Sequence, residues 1–135
     1  MSMMADMMRS MPAAAESSGM DMGMMQQCIE ACSAASMAAT MCADADGGEG
    51  MGRCASMCMN TADVAMTTMR MMMRPGGYDV NVMMMMMQAC QAMGEACAAE
   101  CEMHAAMSEH CRICASACRA MVEACSSAMA GMAKG

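Results

Sequence analysis

Four times along this chain two cysteines are separated by three residues: Cys28/Cys32, Cys54/Cys58, Cys97/Cys101 and Cys114/Cys118. Residues four apart share one face of an α-helix, so each pair aims two sulfurs at one place. The longer sets agree. At roughly 100° per residue, Cys111, Cys114, Cys118 and Cys125 fall within an arc of about 60°, Cys90, Cys97 and Cys101 within about 40°, and Cys28, Cys32 and Cys42 within about 80°. No arc is wider than the apolar stripe a bundle helix buries. The cysteines thus occupy the core stripe of every helix, and the interior becomes a column of thiols.

Composition points to the same all-α class. There is no Leu, Phe or Trp, one Tyr and 31 Met. β-branched apolar residues are confined to Ile29, Ile113 and four Val. A sheet would draw on those residues and on aromatics, whereas Ala and Met are good helix formers. The length of 135 residues suits one domain spanning 1–135.

Breakers divide that domain. Met3, Met4, Met7, Met8 and Met11 recur at helical spacing and stop at Pro12, which predicts a short N-terminal helix within 1–12. Ala13 to Gly19 reads as a connector. A four-helix bundle is expected over 20–131. Its first helix runs from about Met20 to Ala43 and is followed by a polar, Gly-rich turn from Asp44 to Gly50. The second runs from Met51 to Met73 and stops at Arg74-Pro75-Gly76-Gly77. The third starts with Asp79 as N-cap and reaches His104. After a break at 106–108, the fourth covers Glu109 to Met129. Short connections make successive helices antiparallel, which gives an up-down topology.

A net charge of −7 disfavours nucleic acid, whose phosphates call for clustered Lys and Arg, and disfavours an anionic membrane. The longest apolar run, Val82 to Met87, is far short of a membrane span. No basic region leads into a long apolar stretch at the start. The expectation is a soluble cytoplasmic protein, where reducing conditions make structural disulfides rare and turn attention to metal binding or redox chemistry.

A single buried cysteine is commonly a small hydrophobe in a core. Twelve, in helical pairs, need a chemical reason, because thiols pack less well than Leu and invite oxidation. Thiolates suit Cu(I), Zn(II) or iron–sulfur clusters. Structural zinc wants two pairs converging on one closed tetrahedron, but here sulfurs are strung along whole helices. The ferredoxin-type C-x-x-C-x-x-C run is absent from Cys111-x-x-Cys114-x-x-x-Cys118. Cu(I) accepts two or three ligands, so a C-x-x-x-C pair suffices, with a neighbouring helix adding a third. Copper is favoured and zinc comes second.

At this point a family resemblance enters. The segment Cys97 to Cys125, CAAECEMHAAMSEHCRICASACRAMVEAC, resembles the C-terminal half of the cysteine-rich four-helix-bundle copper storage proteins. Cys54 to Asp79, with its NTADV and RPGGYD, is similar to the middle of cytosolic members, and Cys28-Ile29-Glu30-Ala31-Cys32 to their first helix. The resemblance implies a thiol-filled bundle storing multiple Cu(I), as a homo-oligomer. Ala35, Ala39, Asp46, Thr61, Ala65, Gly94 and Met121 stand where such proteins often carry further cysteines, which implies a lower capacity and gaps in the column.

Candidate ligands are therefore all twelve cysteines: Cys28, Cys32, Cys42, Cys54, Cys58, Cys90, Cys97, Cys101, Cys111, Cys114, Cys118 and Cys125. Two further residues join them. Met121 shares the thiol arc of the last helix, and a thioether is also a soft ligand. His104 lies on the face of Cys97 and Cys101, as a ligand at the mouth of the bundle or as an answer to the helix dipole. His110 abuts Cys111 but points toward the flank, and Met25 sits a turn before Cys28. The other methionines stand where Leu is expected, as core filler or as a wholesale replacement of Leu. The acidic residues read as a solvated surface, and no Ser/His/Asp or paired-carboxylate arrangement points to catalysis. The expected function is sequestration of multiple Cu(I), supplied by a donor protein or a small-molecule thiol. The alternatives are a structural Met/Cys-rich bundle, natural or designed, without physiological metal storage, a Zn(II)-binding bundle, and a thiol redox protein. Redox chemistry would favour an exposed, low-pKa thiol pair, which buried stripes fit poorly.

Overall fold

A computed structural model describes residues 3–11 and 21–134. The elements are α1 (Met3–Ser10), α2 (Met22–Gly48), α3 (Gly52–Met72), a 3-10 turn (Pro75–Gly77), α4 (Val80–Glu102) and α5 (Glu109–Lys134). The described residues contain no strand. In the antiparallel bundle, α2 packs on α3 and α5, and α4 packs on the same two helices, so the four form a ring around one core. The short α1 lies against α2 and buries Ala5 and Met8. The predicted all-α architecture is the observed one. The connector expected at 13–19 lies outside the described residues.

Local chemistry accounts for most of the boundaries. The Asp21 side chain accepts from the Met24 N–H at 3.1 Å and caps α2. Asp79 does the same for α4, accepting from Val82 N–H at 3.0 Å, as its position before the helix predicts. Between α3 and α4, Pro75 supplies a fixed φ and Tyr78 donates its hydroxyl to the Met72 carbonyl, which folds the turn back on the helix it leaves.

Three boundaries differ from expectation. The stretch from Asp44, predicted as a turn, stays helical to Gly48. The helix ends there because Gly50 adopts φ 74° and the Met51 N–H reaches back to the Asp46 carbonyl at 3.0 Å. That is a Schellman-type stop, whose positive φ glycine accommodates without a Cβ clash. The extra turn carries Asp46 inward, where it is fully buried. Likewise α4 ends at Glu102 rather than His104, and α5 continues past Met129.

The core falls into two halves. One contains Cys28, Cys32, Cys90 and Cys125 among Met8, Met25, Met72, Met83, Met87, Met121 and Met132. The other contains the remaining eight cysteines with Ala39, Ala43, Ala62, Ala98 and Ala115. Methionine does the work of Leu in the first half, its unbranched chain filling the gaps between helices. Gly94 permits a close approach of α4 to α5: a Cβ there would lie 2.9 Å from Val122 Cγ2 and 3.0 Å from Met121 Cε.

Candidate metal centre

All twelve cysteines are buried and reduced. The helical stripes predicted from their spacing do converge on the core, but the thiol column is interrupted. At the end formed by the α2–α3 and α4–α5 connections lie Cys42, Cys54, Cys58, Cys97, Cys101, Cys111, Cys114 and Cys118. Their sulfurs are in contact: Cys42 with Cys111 at 3.8 Å, Cys54 with Cys101 at 3.7 Å, and Cys58 with Cys97, Cys101 and Cys114 at 3.8, 3.8 and 4.0 Å. Deeper, under the methionines, Cys28 Sγ meets Cys125 Sγ at 3.1 Å and Cys32 Sγ meets Cys90 Sγ at 3.9 Å. No sulfur–sulfur contact among the described residues links the two groups. Buried Ala35, Ala39, Thr61, Ala65, Gly94 and Met121 hold the core positions between them.

Met121 belongs to the deeper group, with its Sδ 3.6 Å from Cys90 Sγ. It presents a fifth soft donor there, as its place on the thiol arc suggested. Met25, also buried, packs in the same half one turn before Cys28.

Packing thiols against each other splits their acidities. A sulfur that receives several S–H hydrogen bonds is favoured as the thiolate, while its donors hold their protons more tightly. Cys28, facing first Cys125 and then Cys32, is lowered to about 5. Cys90 is raised to about 12, chiefly by its hydrogen bond to Cys125. In the larger group Cys97 and Cys101 are lowered, the first mainly by Cys101 and the second mainly by Cys114. Cys58 and Cys114, each acting first on Cys101, are raised. Burial lifts Cys111 to about 11. Hydrogen bonding thus favours the thiolate form on Cys28 in one group and on Cys97 and Cys101 in the other, and the protonated form on their neighbours.

The histidines differ from the sequence reading. His104 Nε2 is 3.2 Å from Glu100 Oε2, and Glu100 is also held by Arg53 Nε at 3.0 Å. Its ring therefore stands at the thiol-rich end but faces a carboxylate. His110 does not point to the flank. Its Nδ1 lies 3.3 Å from Cys42 Sγ and 3.6 Å from Cys111 Sγ, because the first turn of α5 packs against the last turn of α2.

The acidic residues are not all at the surface either. Asp46 is 0% exposed and its carboxylate contacts the thiols of Cys42, Cys58 and Cys111, while Glu100 is 8% exposed. The sequence held two signals for Asp46: it lies four residues after Cys42, on the same helical face, and it stands where the resembling proteins often carry a cysteine. The Gly-rich context of 47–50 concealed it by reading as a turn.

Several sets of four residues bring donor atoms within 4.8 Å of one another: Cys42/Cys54/Cys58/Cys101, Cys58/Cys97/Cys101/Cys114 and Cys42/Asp46/His110/Cys111. Cys28, Cys32 and Cys125 form a three-sulfur set. Cys58 and Cys101 belong to two sets, so a thiolate bridging two ions is within geometric reach.

Comparison with known proteins agrees with this architecture. The family model described as copper storage protein matches residues 13–130. A copper storage protein from Streptomyces lividans, solved loaded with 10 copper equivalents, superposes with a TM-score of 0.89 at 39% identity, covering 95% of this chain and 98% of that one. A structure of a cytosolic copper storage protein from the same organism, carrying five coppers, gives 0.76 at 40% identity over 80% and 93% of the two chains. Among curated protein sequences none matches this chain.

Proposed function

The chain belongs to the copper storage protein family, and we propose that it sequesters multiple Cu(I) ions as thiolate complexes inside its bundle. The observation that carries this reading is the set of twelve buried free thiols, eleven of which have a neighbouring sulfur at 3.1–4.0 Å. That spacing brings neighbouring sulfurs close enough to share ions of low coordination number. The ligands are Cys42, Cys54, Cys58, Cys97, Cys101, Cys111, Cys114 and Cys118 in the larger group, and Cys28, Cys32, Cys90 and Cys125 in the smaller. Met121 adds a thioether to the smaller group. His104 serves at the mouth, where its Glu100 contact keeps it outside the thiol cluster until copper arrives.

Where Cu(I) takes the place of one thiol proton, the site gains no net charge as it fills. A buried site can then accept many ions without the desolvation cost of accumulating charge. The low-pKa sulfurs Cys28, Cys97 and Cys101 receive the first ions and the surrounding thiols deprotonate as further ions bind. Soft thiolates favour Cu(I) over the harder cations of the cell. The missing thiols at Ala35, Ala39, Ala65 and Gly94 set a smaller store here than in family members that carry cysteines at those positions. The protein works in the cytoplasm as a homo-oligomer, receives copper from a donor protein or a small-molecule thiol, and has no catalytic role.

Anaerobic titration of the fully reduced protein with Cu(I), against a chromophoric competing chelator, tests the proposal. Tight uptake of many equivalents, saturating near the 12 thiols, is expected. Uptake of one ion or none refutes storage and leaves a bundle whose thiols only pack.

A further inference from the structure

Core packing accounts for the buried methionines but not for all of them. Met37 and Met41 on α2 and Met66 on α3 are 59, 74 and 42% exposed, so they fill no gap between helices. Met37 and Met41 are four residues apart and share one helical face. Met66 meets them across the seam where α2 packs on α3, and with Ser36 and Thr40 the three line one groove of about 250 Å³. Three thioethers from two helices thus surround one space on the outside of the bundle, and no thiol lines it.

Other donors in the groove are few. The Ser36 hydroxyl donates to the Ser33 carbonyl at 2.9 Å, and the Thr40 hydroxyl to the Ser36 carbonyl at 2.7 Å, so both are engaged with their own helix. No carboxylate or imidazole lines this space. A hard cation therefore finds little to bind, whereas a soft ion finds three sulfurs. The methionine side chain is unbranched, with three rotatable bonds. At exposed positions it can turn its sulfur toward an ion without disturbing the core.

The charge of the seam is a second, independent observation. The groove continues at both ends. Through Thr40 it joins a stretch lined by Asp44 and Met59, and through Met37 one lined by Glu30, Met69 and Met73. The residues lining the three stretches include two carboxylates, Glu30 and Asp44, and no Lys or Arg. Carboxylates at either end, with no cationic side chain between them, raise the local concentration of cations. An apolar partner docking along the seam would instead have to strip water from both carboxylates.

We infer that Met37, Met41 and Met66 form a thioether site for one soft monovalent ion, Cu(I) or Ag(I), on the outer α2–α3 seam and separate from the thiols. The inference extends the copper-storage reading from the core to the surface. Thioethers carry no proton, so binding releases none and the ion keeps its positive charge. Thiolates neutralise that charge and thioethers do not. The seam therefore holds the ion more weakly than the interior does, and it fills only once the thiols are occupied. It is an exchangeable place on the surface, whose ion passes to any thiol that becomes free.

Titration of the fully reduced protein with Ag(I), a redox-inert substitute for Cu(I), tests the site by methionine-methyl NMR and thiolate-to-metal absorption together. After the absorption stops growing, further Ag(I) should shift the methyl resonances of Met37, Met41 and Met66 together and saturably. Met85 and Met107, 68 and 94% exposed elsewhere on the molecule, are the internal controls and should stay in place. The midpoint should be the same at mildly acidic and neutral pH, because no ligand loses a proton; a thiolate or imidazole site weakens as pH falls. Met41→Leu and Met66→Leu, similar in size and at exposed positions, should each abolish the shifts of the two remaining methionines and leave thiol loading unchanged. Parallel shifts of Met85 and Met107 mean general thioether binding and overturn the inference. So do a pH-dependent midpoint and groove resonances that never move, whether because the sulfurs do not converge or because a second copy of the chain covers the seam. The absorption reports the thiols and the methyl resonances report the groove, so either reading can fail without the other.

Discussion

Met121 is fully buried on the thiol stripe of α5, between Cys118 and Cys125, and its Cε fills the space that a side chain at Gly94 would otherwise take. Met121→Cys therefore does two opposed things. It removes about two methylene equivalents of buried apolar contact, worth about 1.5 kcal/mol at ~0.8 kcal/mol each. It also opens a void against Gly94, which raises the loss to about 2–3 kcal/mol because the surrounding helices relax only partly. For a chain of this length each kcal/mol corresponds to about 3–5 °C of melting temperature, so the copper-free variant should melt about 6–15 °C below the parent. The new thiol, in turn, stands on the same face as Cys118 and Cys125 and bridges the two sulfur groups. Copper uptake should rise by at least about one equivalent, taking a thiolate to bind an ion as at the other sites, and the loaded variant should recover the lost stability through ligand linkage. Thermal unfolding by circular dichroism, with and without saturating Cu(I), measures both effects. A double-mutant cycle sharpens the test. In the parent, Gly94→Ala drives a Cβ against both Met121 Cε at 3.0 Å and Val122 Cγ2 at 2.9 Å and should cost about 1–3 kcal/mol of overpacking. In the Met121→Cys background the Met121 contact is relieved while those with Val122 and the Cys118 carbonyl remain, so the same change should cost measurably less. An unchanged melting temperature, no extra copper, or additive effects of the two substitutions would refute the claim that Met121 both packs against Gly94 and separates the thiol groups.

Three other measurements follow from the same geometry. Cys111 and Cys90 are raised from 9.0 to about 11 and about 12; for a raised pKa the stabilisation is complete below the unfolded value and disappears as pH climbs through the folded one. Copper-free stability should therefore fall between about pH 9 and about pH 12, whereas Cu(I) affinity, which releases thiol protons, should increase with pH below that window; urea denaturation and chelator competition across pH check the two trends, and opposite slopes would contradict them. Cys125→Ala should reduce copper uptake from the smaller group and leave loading of the larger group unchanged, because its sulfur contacts Cys28 and none of the larger group; sequential-loading spectra that lose the large-group phase instead would count against two separate stores. Tyr78→Phe removes the hydroxyl bond to the Met72 carbonyl and should cost about 1 kcal/mol in urea unfolding, with copper stoichiometry unaffected.

Local periodicity carries information about which face of a helix a residue occupies, and that much could be read in advance. The i,i+4 cysteine pairs, the thiol arc that includes Met121, the Asp79 cap and the stop at Pro75 all depend on residues within about two turns of one another. The bundle follows from them, since four helices with inward thiol stripes and short connections have one simple way to bury those stripes. Distances between helices are another matter. That the thiols part into a group of eight and a group of four depends on which small residues of all four helices share a level, and Ala35, Thr61, Ala65 and Gly94 reveal this only once their helices are side by side. His110 illustrates the point most directly: one position from Cys111 on a helical wheel it belongs to the flank, yet α2 packs close enough to bring Cys42 within 3.3 Å of its ring. Asp46 needed the backbone to choose between a turn and one further helical turn, and the positive φ of Gly50, four residues later, made that choice. A carboxylate read as solvated thereby entered the core, because the free energy of a chain end point is local while the surroundings of a side chain are set by everything that packs against it.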